Sequence, residues 1–243
     1  MRTFYKKKER IMSLQTQSST ALPPIDQVVP TRVETATFGL GWFWTPDAQF
    51  GSLNGVLRTR VGYAGGTTQN PTYRQIGDHT ETFQVDFDPT LISYTELLGL
   101  FWQSHNPKRK AWSRQYRAVI LVHDEEQYEQ SQRSLQAVMA TMNAPITTEI
   151  LYLNTFYLAE TYHQKYRLQQ SPLMAEVKTI YANAQDWIDS TAAARLNGYL
   201  SGYGLAETFA LDIKQLGLSE AGERILQKSV PGKGSSLTCP LPM

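Results

Sequence analysis

A chain of 243 residues with 41% hydrophobic side chains is long enough for one domain with extensions or for two small domains, and it can bury a full core. Its formal net charge of +1 gives no electrostatic reason to expect nucleic acid or an anionic membrane as a partner. The one cysteine, Cys239, excludes an intrachain disulfide, and four histidines without ligand-like spacing argue against a structural zinc site.

The first 30 residues are predicted to be a disordered tail. Residues 1–10 are basic, and the next stretch is rich in Ser, Thr and Gln without the apolar segment of a secretory signal. Such a composition buries too little apolar surface to fold. We expect a cytoplasmic protein, with organelle targeting by this tail and a true start at Met12 as alternatives. No apolar run approaches the roughly 20 residues of a membrane-spanning helix.

Residues 31–170 combine strand and helix patterns in irregular alternation. Apolar alternation predicts strands over 33–38, 56–63, 80–87, 116–122 and 147–153. In the third of these, Phe83, Val85 and Phe87 face inward and Thr82, Gln84 and Asp86 face outward. Helical spacing predicts helices over 45–53, 93–104, 124–142 and 159–169, the second opened by a capping box of Ser93 and Glu96 and the third capped by Asp124. The mixture predicts an α+β fold, a two-layer sandwich of a mixed sheet with helices on its face.

The composition changes after Pro172. Helices are predicted over 174–184, 187–200, 205–216 and 220–228, so residues 171–228 form a helical extension that packs on the core. We expect this extension to stabilise or dimerise the protein rather than to carry chemistry, although the sequence does not give the oligomeric state. The Gly- and Ser-rich residues 229–243 are predicted to be a flexible tail.

The most informative stretch is Phe38-Gly39-Leu40-Gly41-Trp42-Phe43-Trp44. It combines the end of a strand, glycines that permit a sharp turn and a close approach to a ligand, and three large aromatics. Thr45, Pro46 and Asp47 then give a helix start, with Thr45 as the N-cap. The simplest interpretation is a core strand that turns into a core helix.

This stretch resembles the signature Phe-Gly-x-Gly-Cys-Phe-Trp of the A-type peptide methionine sulfoxide reductases (MsrA). Further motifs follow in the family's order over about residues 33–168. They are Val61-Gly62-Tyr63-Ala64-Gly65-Gly66, Asn70-Pro71-Thr72-Tyr73, His79-Thr80-Glu81, Asp88-Pro89, Ile92-Ser93-Tyr94, Phe101-Trp102-Gln103-Ser104-His105-Asn106-Pro107, Gln115-Tyr116-Arg117 and Tyr162-His163-Gln164-Lys165-Tyr166.

The resemblance implies a site as well as a fold. In the family a cysteine thiolate at a helix start attacks the sulfoxide sulfur, a protonated glutamic acid gives a proton to the oxygen, and two tyrosines bind that oxygen. By position Glu81 matches the proton donor, Tyr73 and Tyr116 match the two tyrosines, and Phe43 with Trp44 matches the pocket for the methyl group. The C-terminal Cys239-Pro240-Leu241-Pro242 resembles the arm that carries a resolving cysteine. No cofactor or metal is implied.

This sequence departs from the family at the nucleophile, because the cysteine position falls on Trp42. An indole has a weakly acidic N–H and no nucleophilic lone pair of useful basicity. A supporting aspartate falls on Ala111, and the loop between Tyr73 and Glu81 is shorter than usual. These losses predict a protein without thiol-based reduction.

Several functions are compatible with this pattern. The first is a non-catalytic binder of methionine-like or methylated cationic ligands, small molecules or methionine-containing peptides, in a pocket that includes Trp42. The second is an enzyme that uses Glu81 as general acid or base, with Tyr73 and Tyr116 binding an oxyanion. The third is a residual reductase that uses Cys239. A purely structural alternative is that Trp42 fills a pocket that no longer binds a ligand.

The basic run Lys108-Arg109-Lys110 before Trp112 is interpreted as a solvated loop, although it could touch an acidic substrate or partner.

Overall fold

The computed structural model describes residues 21–142 and 144–229, and a six-stranded sheet organises the first part of this range. The strands are β1 (Glu34–Leu40), β2 (Val56–Ala64), β3 (Thr80–Phe87), β4 (Ala118–Val122), β5 (Glu149–Tyr152) and β6 (Phe156–Leu158). Their order is β5-β4-β1-β3-β2-β6. Only the pair of β4 and β5 is parallel, so the sheet is mixed, as predicted.

The helices of the described chain are α1 (Trp44–Gly51), α2 (Tyr94–Gln103), α3 (Glu125–Met142), α4 (Tyr166–Gln169), α5 (Leu173–Ile180), α6 (Ala184–Ile188), α7 (Thr191–Leu200), α8 (Ala206–Asp212) and α9 (Glu220–Gln227). The capping box of Ser93 and Glu96 at the start of α2 is confirmed. Asp124 caps α3 by accepting the backbone N–H of Gln127 at 2.8 Å, which confirms that cap as well.

The main core lies between one face of the sheet and helices α1 and α2. The Phe38 ring of β1 is fully buried at its centre. Its centroid lies 5.8 Å from Phe50 of α1, 5.2 Å from Phe101 of α2 and 5.8 Å from Phe83 of the neighbouring strand. Tilted and offset ring pairs at these distances stabilise a core beyond the area that they bury. This packing gives the predicted α+β architecture of a sheet covered by helices.

The opposite face of β3 is buried as well, which the sequence did not predict. Thr82 is fully buried and Asp86 is 5% exposed. Asp86 accepts hydrogen bonds from Arg58 at 2.6 Å and from Arg60 at 2.9 Å. Arg60 also binds Asp189, which follows α6. The outward prediction for Thr82 and Asp86 is therefore wrong, because the Thr82 hydroxyl donates to the Gly62 carbonyl of β2 and two arginines pair with Asp86.

The single helix predicted over 159–169 is wrong. Within that range the chain forms a 3-10 turn at Thr161–His163 and then α4, and the short strand β6, which was not predicted, comes just before it. Lys165 separates the turn from α4 with φ of 46°, a left-handed conformation that a continuous helix cannot contain. Similarly, the helix predicted over 187–200 is divided into α6 and α7, because Ser190 caps α7 through the N–H of Ala193 at 2.8 Å.

Two smaller corrections concern the residues at which a predicted helix and a predicted strand begin. Helix α1 begins at Trp44 after Phe43 as its N-cap residue, so Thr45 does not act as the cap. Tyr116 belongs to a 3-10 turn, Arg114–Tyr116, and β4 begins only at Ala118. The first shift brings Trp44 into the helix, and the second places Tyr116 in the turn before the strand.

The helical extension has a core of its own. Leu173, Trp187 and Leu196 are among its buried side chains, and α5, α6 and α7 contribute them. Residues 21–30 do not form the predicted disordered tail. They contain the 3-10 helix Pro24–Gln27, whose Ile25 side chain packs against this second core. The disorder predicted for residues 1–20 lies outside the described chain.

A buried polar junction joins the extension to α1. The Asn197 side chain of α7 donates to Asp47 Oδ2 at 2.9 Å and accepts the N–H groups of Arg167 at 3.0 Å and Leu168 at 3.2 Å. The Nζ of fully buried Lys165 lies 3.5 Å from Asp47 Oδ1 and donates to the carbonyl of Thr59. Burial lowers the pKa of Lys165, while the charge of Asp47 opposes that effect.

Asn197→Ala is expected to destabilise the protein by about 3 kcal/mol, because it leaves the N–H groups of Arg167 and Leu168 without their acceptor and removes one hydrogen bond from the buried Asp47 carboxylate. Urea unfolding followed by circular dichroism measures the loss. Asn54→Ala, at an exposed position, is the control and should change stability by less than about 0.5 kcal/mol. Equal effects of the two substitutions would contradict the role given to this junction.

Candidate functional site

The turn between β1 and α1 depends on two glycines. Gly41 has φ of +90°, which disfavours any residue with a Cβ. A Cβ on Gly39 would lie 3.0 Å from the carbonyl oxygen of Glu81 in β3, so close passage of the two strands requires glycine there. The turn then directs the backbone N–H of Phe43 toward Glu81 Oε2 at 3.3 Å. The start of α1 is thereby fixed against the acid of the site.

Glu81 is a buried acid without a cationic partner within ion-pair distance in the described chain. Its Oε1 accepts a hydrogen bond from Gln115 Nε2 at 2.8 Å. Burial raises the pKa of Glu81, and the hydrogen bonds from Gln115 and Phe43 oppose the shift only in part. The side chain therefore holds its proton to higher pH than an ordinary glutamic acid, which suits a hydrogen-bond donor.

Two tyrosines complete the polar part of the site. Tyr116 lies in the turn before β4, and its hydroxyl interacts with that of Tyr73. Burial raises the pKa of Tyr116 to about 12, with smaller effects from the nearby Glu81 charge and from Tyr73. The backbone N–H of Tyr73 donates to Glu160 Oε1 at 3.0 Å, which holds its loop. At neutral pH Tyr116 therefore keeps its proton, and its hydroxyl can donate a hydrogen bond to an acceptor.

A small cavity of about 40 Å³ is lined by Trp42, Trp44, Tyr73, Glu81 and Tyr116. The Trp42 ring meets Trp44 edge-on at 6.0 Å between centroids and lies 6.2 Å from Tyr116. Since 60% of Trp42 is exposed, the indole forms the rim of the cavity and leaves space beneath it. Five of the sequence-predicted site residues thus meet around one space.

The other two predicted residues are placed differently. Phe43 is 1% exposed and packs behind the cavity, with its ring centroid 6.1 Å from Tyr63 and 5.2 Å from His163. It gives the site its backbone N–H rather than a ring surface. Cys239 lies outside the described residues.

Several supporting residues were not identified from the sequence. Tyr166 stacks on Trp44 at 4.1 Å with 14° between the ring planes, and Gln115 binds Glu81. The Tyr63 hydroxyl donates to Glu160 Oε2 at 2.7 Å, and that carboxylate holds Tyr73. Gln115 and Tyr166 occur inside the recognised motifs, and this position was the sequence signal by which they could have been identified. The two contacts of Glu160 could be identified only from the fold, because Tyr63 is 97 residues away from Glu160 in the sequence.

His163 lines the back of the aromatic group. It is 3% exposed, its ring contacts Tyr73 at 4.7 Å and Trp44 at 5.7 Å, and neither ring nitrogen has a hydrogen-bond partner among the described residues. Burial lowers the pKa of His163, so the imidazole is neutral near pH 7. The side chain therefore adds an aromatic wall without adding charge.

The described part of the chain contains no group of three or more His, Cys, Asp or Glu side chains that could hold a metal ion. Within residues 21–142 and 144–229, no helix is long and apolar enough to cross a bilayer.

Comparison with known proteins identifies the family of this chain. The family model for peptide methionine sulfoxide reductase matches residues 34–195. The chain belongs to the peptide methionine sulfoxide reductase family. The matched range includes α5, α6 and half of α7 in addition to the sheet. The family and the α+β fold that the motifs predicted are both confirmed.

The similarity to individual family members extends beyond the sheet. A peptide methionine sulfoxide reductase of Drosophila melanogaster is 41% identical over 226 residues, which are 92% of this chain and 91% of that protein. Peptide methionine sulfoxide reductase A5 of Arabidopsis thaliana is 40% identical over 174 residues, 69% of this chain and 68% of the relative. The match to the first of these includes most of the helical extension, since so much of the chain is aligned.

Solved reductase structures share the fold. Methionine sulfoxide reductase A of Corynebacterium diphtheriae gives a TM-score of 0.52 at 31% identity and covers 64% of this chain and 90% of its own. Reduced Mxr1 from Saccharomyces cerevisiae gives a TM-score of 0.54 at 26% identity, and the match covers 60% of this chain and 90% of Mxr1.

Glu81→Gln is expected to stabilise this reductase-family chain more at pH 7 than at pH 4. The fold raises the pKa of Glu81, so ionisation is less favourable in the folded than in the unfolded state. Below about pH 4.3 the carboxyl is largely protonated in both states, and the penalty disappears. Urea unfolding at both pH values measures the difference. Glu207→Gln, at an exposed position of α8, controls for loss of a surface carboxylate. If Glu81→Gln changed the free energy of unfolding equally at both pH values, the result would contradict a raised pKa of Glu81.

Proposed function

We propose that this family member binds a methionine-type side chain, with the sulfoxide preferred, and does not reduce it through a thiol at position 42. The supporting observation is the convergence of Glu81, Tyr73 and Tyr116 on one small cavity with Trp42 at its rim. The relatives are named as methionine sulfoxide reductases, which supports the choice of ligand.

The polar groups match the chemistry of a sulfoxide. Its oxygen is a hydrogen-bond acceptor, and the cavity offers a carboxyl with a raised pKa together with tyrosine hydroxyls as donors. The methyl group and the side-chain methylenes would contact Trp44, whose ring is held by stacking on Tyr166. A donor that is buried and pre-positioned loses little entropy when it binds its acceptor.

Thiol-based reduction requires a nucleophile, and the described wall of the cavity contains no thiol. The indole of Trp42 has one N–H donor and cannot attack sulfur as a thiolate does. The chain has a single cysteine, Cys239, which lies outside the described residues, and none of the described residues that line the cavity is a cysteine. The arrangement therefore supports recognition rather than thiol-dependent turnover.

A methylated cation is a second candidate ligand, because the cavity combines aromatic rings with one carboxyl group. Trp42, Trp44 and Tyr116 present π-systems around Glu81. Each cation–π contact with an ammonium or sulfonium contributes about 0.5–2 kcal/mol. Such a ligand would favour the ionised carboxylate, whereas a sulfoxide favours the protonated acid.

The pH dependence of binding separates the two ligands. Methionine sulfoxide is expected to bind about tenfold more weakly at pH 8 than at pH 5, because Glu81 loses its proton as the pH rises through its raised pKa. S-methylmethionine, a sulfonium, should show the opposite trend. Tryptophan fluorescence and calorimetry measure both affinities. Glu81→Gln should remove either pH dependence, and absence of binding by both ligands would contradict the proposal.

Trp42→Cys is expected to create reduction of methionine S-sulfoxide with dithiothreitol as electron donor. Position 42 immediately precedes the N-cap residue of α1, where a thiol pKa is lowered, and Glu81 can protonate the departing oxygen. Conversion of sulfoxide to methionine is followed by chromatography. Trp112→Cys places a thiol at an exposed neighbouring position and should give no activity. A folded but inactive Trp42→Cys protein would show that the cavity is not arranged as proposed.

A further inference from the structure

A groove of about 380 Å³ adjoins the cavity and shares Trp42 and Tyr116 with it. Its remaining wall includes Arg109, Lys110 and Trp112, from the loop between α2 and β4. We call this feature the Trp112 groove. A ligand in the cavity that continues past Trp42 or Tyr116 would enter it directly.

The Trp112 groove exposes an unusual amount of aromatic surface. Trp112 is 79% exposed and Trp42 is 60% exposed. Tyr116 lies between them, 4.8 Å from Trp112 and 6.2 Å from Trp42 between ring centroids. Exposed aromatic rings in a continuous row are characteristic of contact surfaces, where Trp and Tyr are enriched.

The groove is also positively charged. Arg109 and Lys110 are exposed, no residue in the described lining is acidic, and neither cation forms an ion pair with another described residue. His105 adds no charge near pH 7, because burial lowers its pKa. Since the whole chain has a net charge of only +1, this is a local concentration of charge.

The loop that carries these cations is anchored. The backbone N–H of Thr147 donates to the Pro107 carbonyl at 2.8 Å, and the Thr147 hydroxyl interacts with the Arg109 carbonyl at 3.2 Å. Asn106 accepts the N–H of Lys108 at 3.1 Å. The positions of the charged residues relative to the cavity are therefore built into the fold.

We propose that the Trp112 groove binds the acidic flank of a peptide whose methionine side chain enters the cavity. This inference rests on the proposed function and names its substrate class, a methionine-containing peptide with Asp or Glu within about three residues of the methionine. An extended peptide advances about 3.3 Å per residue, so a few residues pass from Trp42 to Trp112. A peptide fits better than a nucleic acid, because two groove cations on a chain of net charge +1 give no extended basic surface for a phosphate backbone.

The test uses three peptides with a central methionine sulfoxide flanked by Glu, Ser or Lys, titrated into the full chain by calorimetry. The Glu peptide should bind about three- to thirtyfold more tightly than the Ser peptide, and the advantage should shrink between 0.05 and 0.5 M salt. R109Q/K110Q should lower the affinity for the Glu peptide to that for the Ser peptide. K178Q/K228Q removes two exposed, unpaired cations from the helical extension and should keep the preference.

The outcomes separate this inference from the proposed function. Equal affinities for the Glu and Ser peptides, with free methionine sulfoxide still bound, would overturn the inference alone. Failure of the peptides and of the free amino acid to bind would overturn both. Equal loss of preference in the two double variants would show a non-local charge effect and reject the groove. Tighter binding of a single-stranded oligonucleotide that displaces the Glu peptide would assign the groove to nucleic acid instead.

Discussion

The hydrogen bond between the Phe43 N–H and the Glu81 carboxyl is the contact on which the site depends. It joins the beginning of α1 to β3 at 3.3 Å, in a place where Glu81 has no cation beside it. A buried carboxyl without a cation is expensive to ionise, so its environment favours the protonated form over the charged one. The same burial that destabilises the carboxylate makes the acid a donor. The geometry of the turn at Gly41 decides whether that donor faces a ligand.

Helix α1 can hold this position only if its other contacts are fixed, and the helical extension supplies them. Asp47 in its first turn is bound by Asn197 of α7 and lies near buried Lys165. Replacing part of such a network leaves the remaining groups unpaired, which costs more than the net free energy of each hydrogen bond. The extension is thus part of the structure that places Glu81 and Trp44. Its boundary with the sheet is crossed by buried polar contacts rather than by a flexible linker.

The sequence predicted the elements and site residues that depend on local signals. The capping box at Ser93 follows from side chains a few residues apart, and the site residues follow from motifs in family order. Contacts between distant segments could not be read in this way. The surroundings of Asp86 include such a contact, since Arg60, which pairs with Asp86, also binds Asp189 across 129 residues. The left-handed Lys165 divides a segment whose spacing looked helical, and its buried side chain lies beside Asp47 of α1, a contact that the local sequence does not show.

The indole at position 42 leaves the cavity open. Had the ring turned inward, it would have been buried against Glu81; instead most of it is exposed, and its edge meets Trp44. Leaving such a ring in water forgoes the free energy of its burial, on the order of 25 cal/mol for each Å² of apolar surface. A bound peptide would recover part of that free energy at Trp42 and at Trp112 together. The exposed rings and unpaired cations beside the cavity are therefore explained more simply by a ligand that covers them than by the disuse of the site.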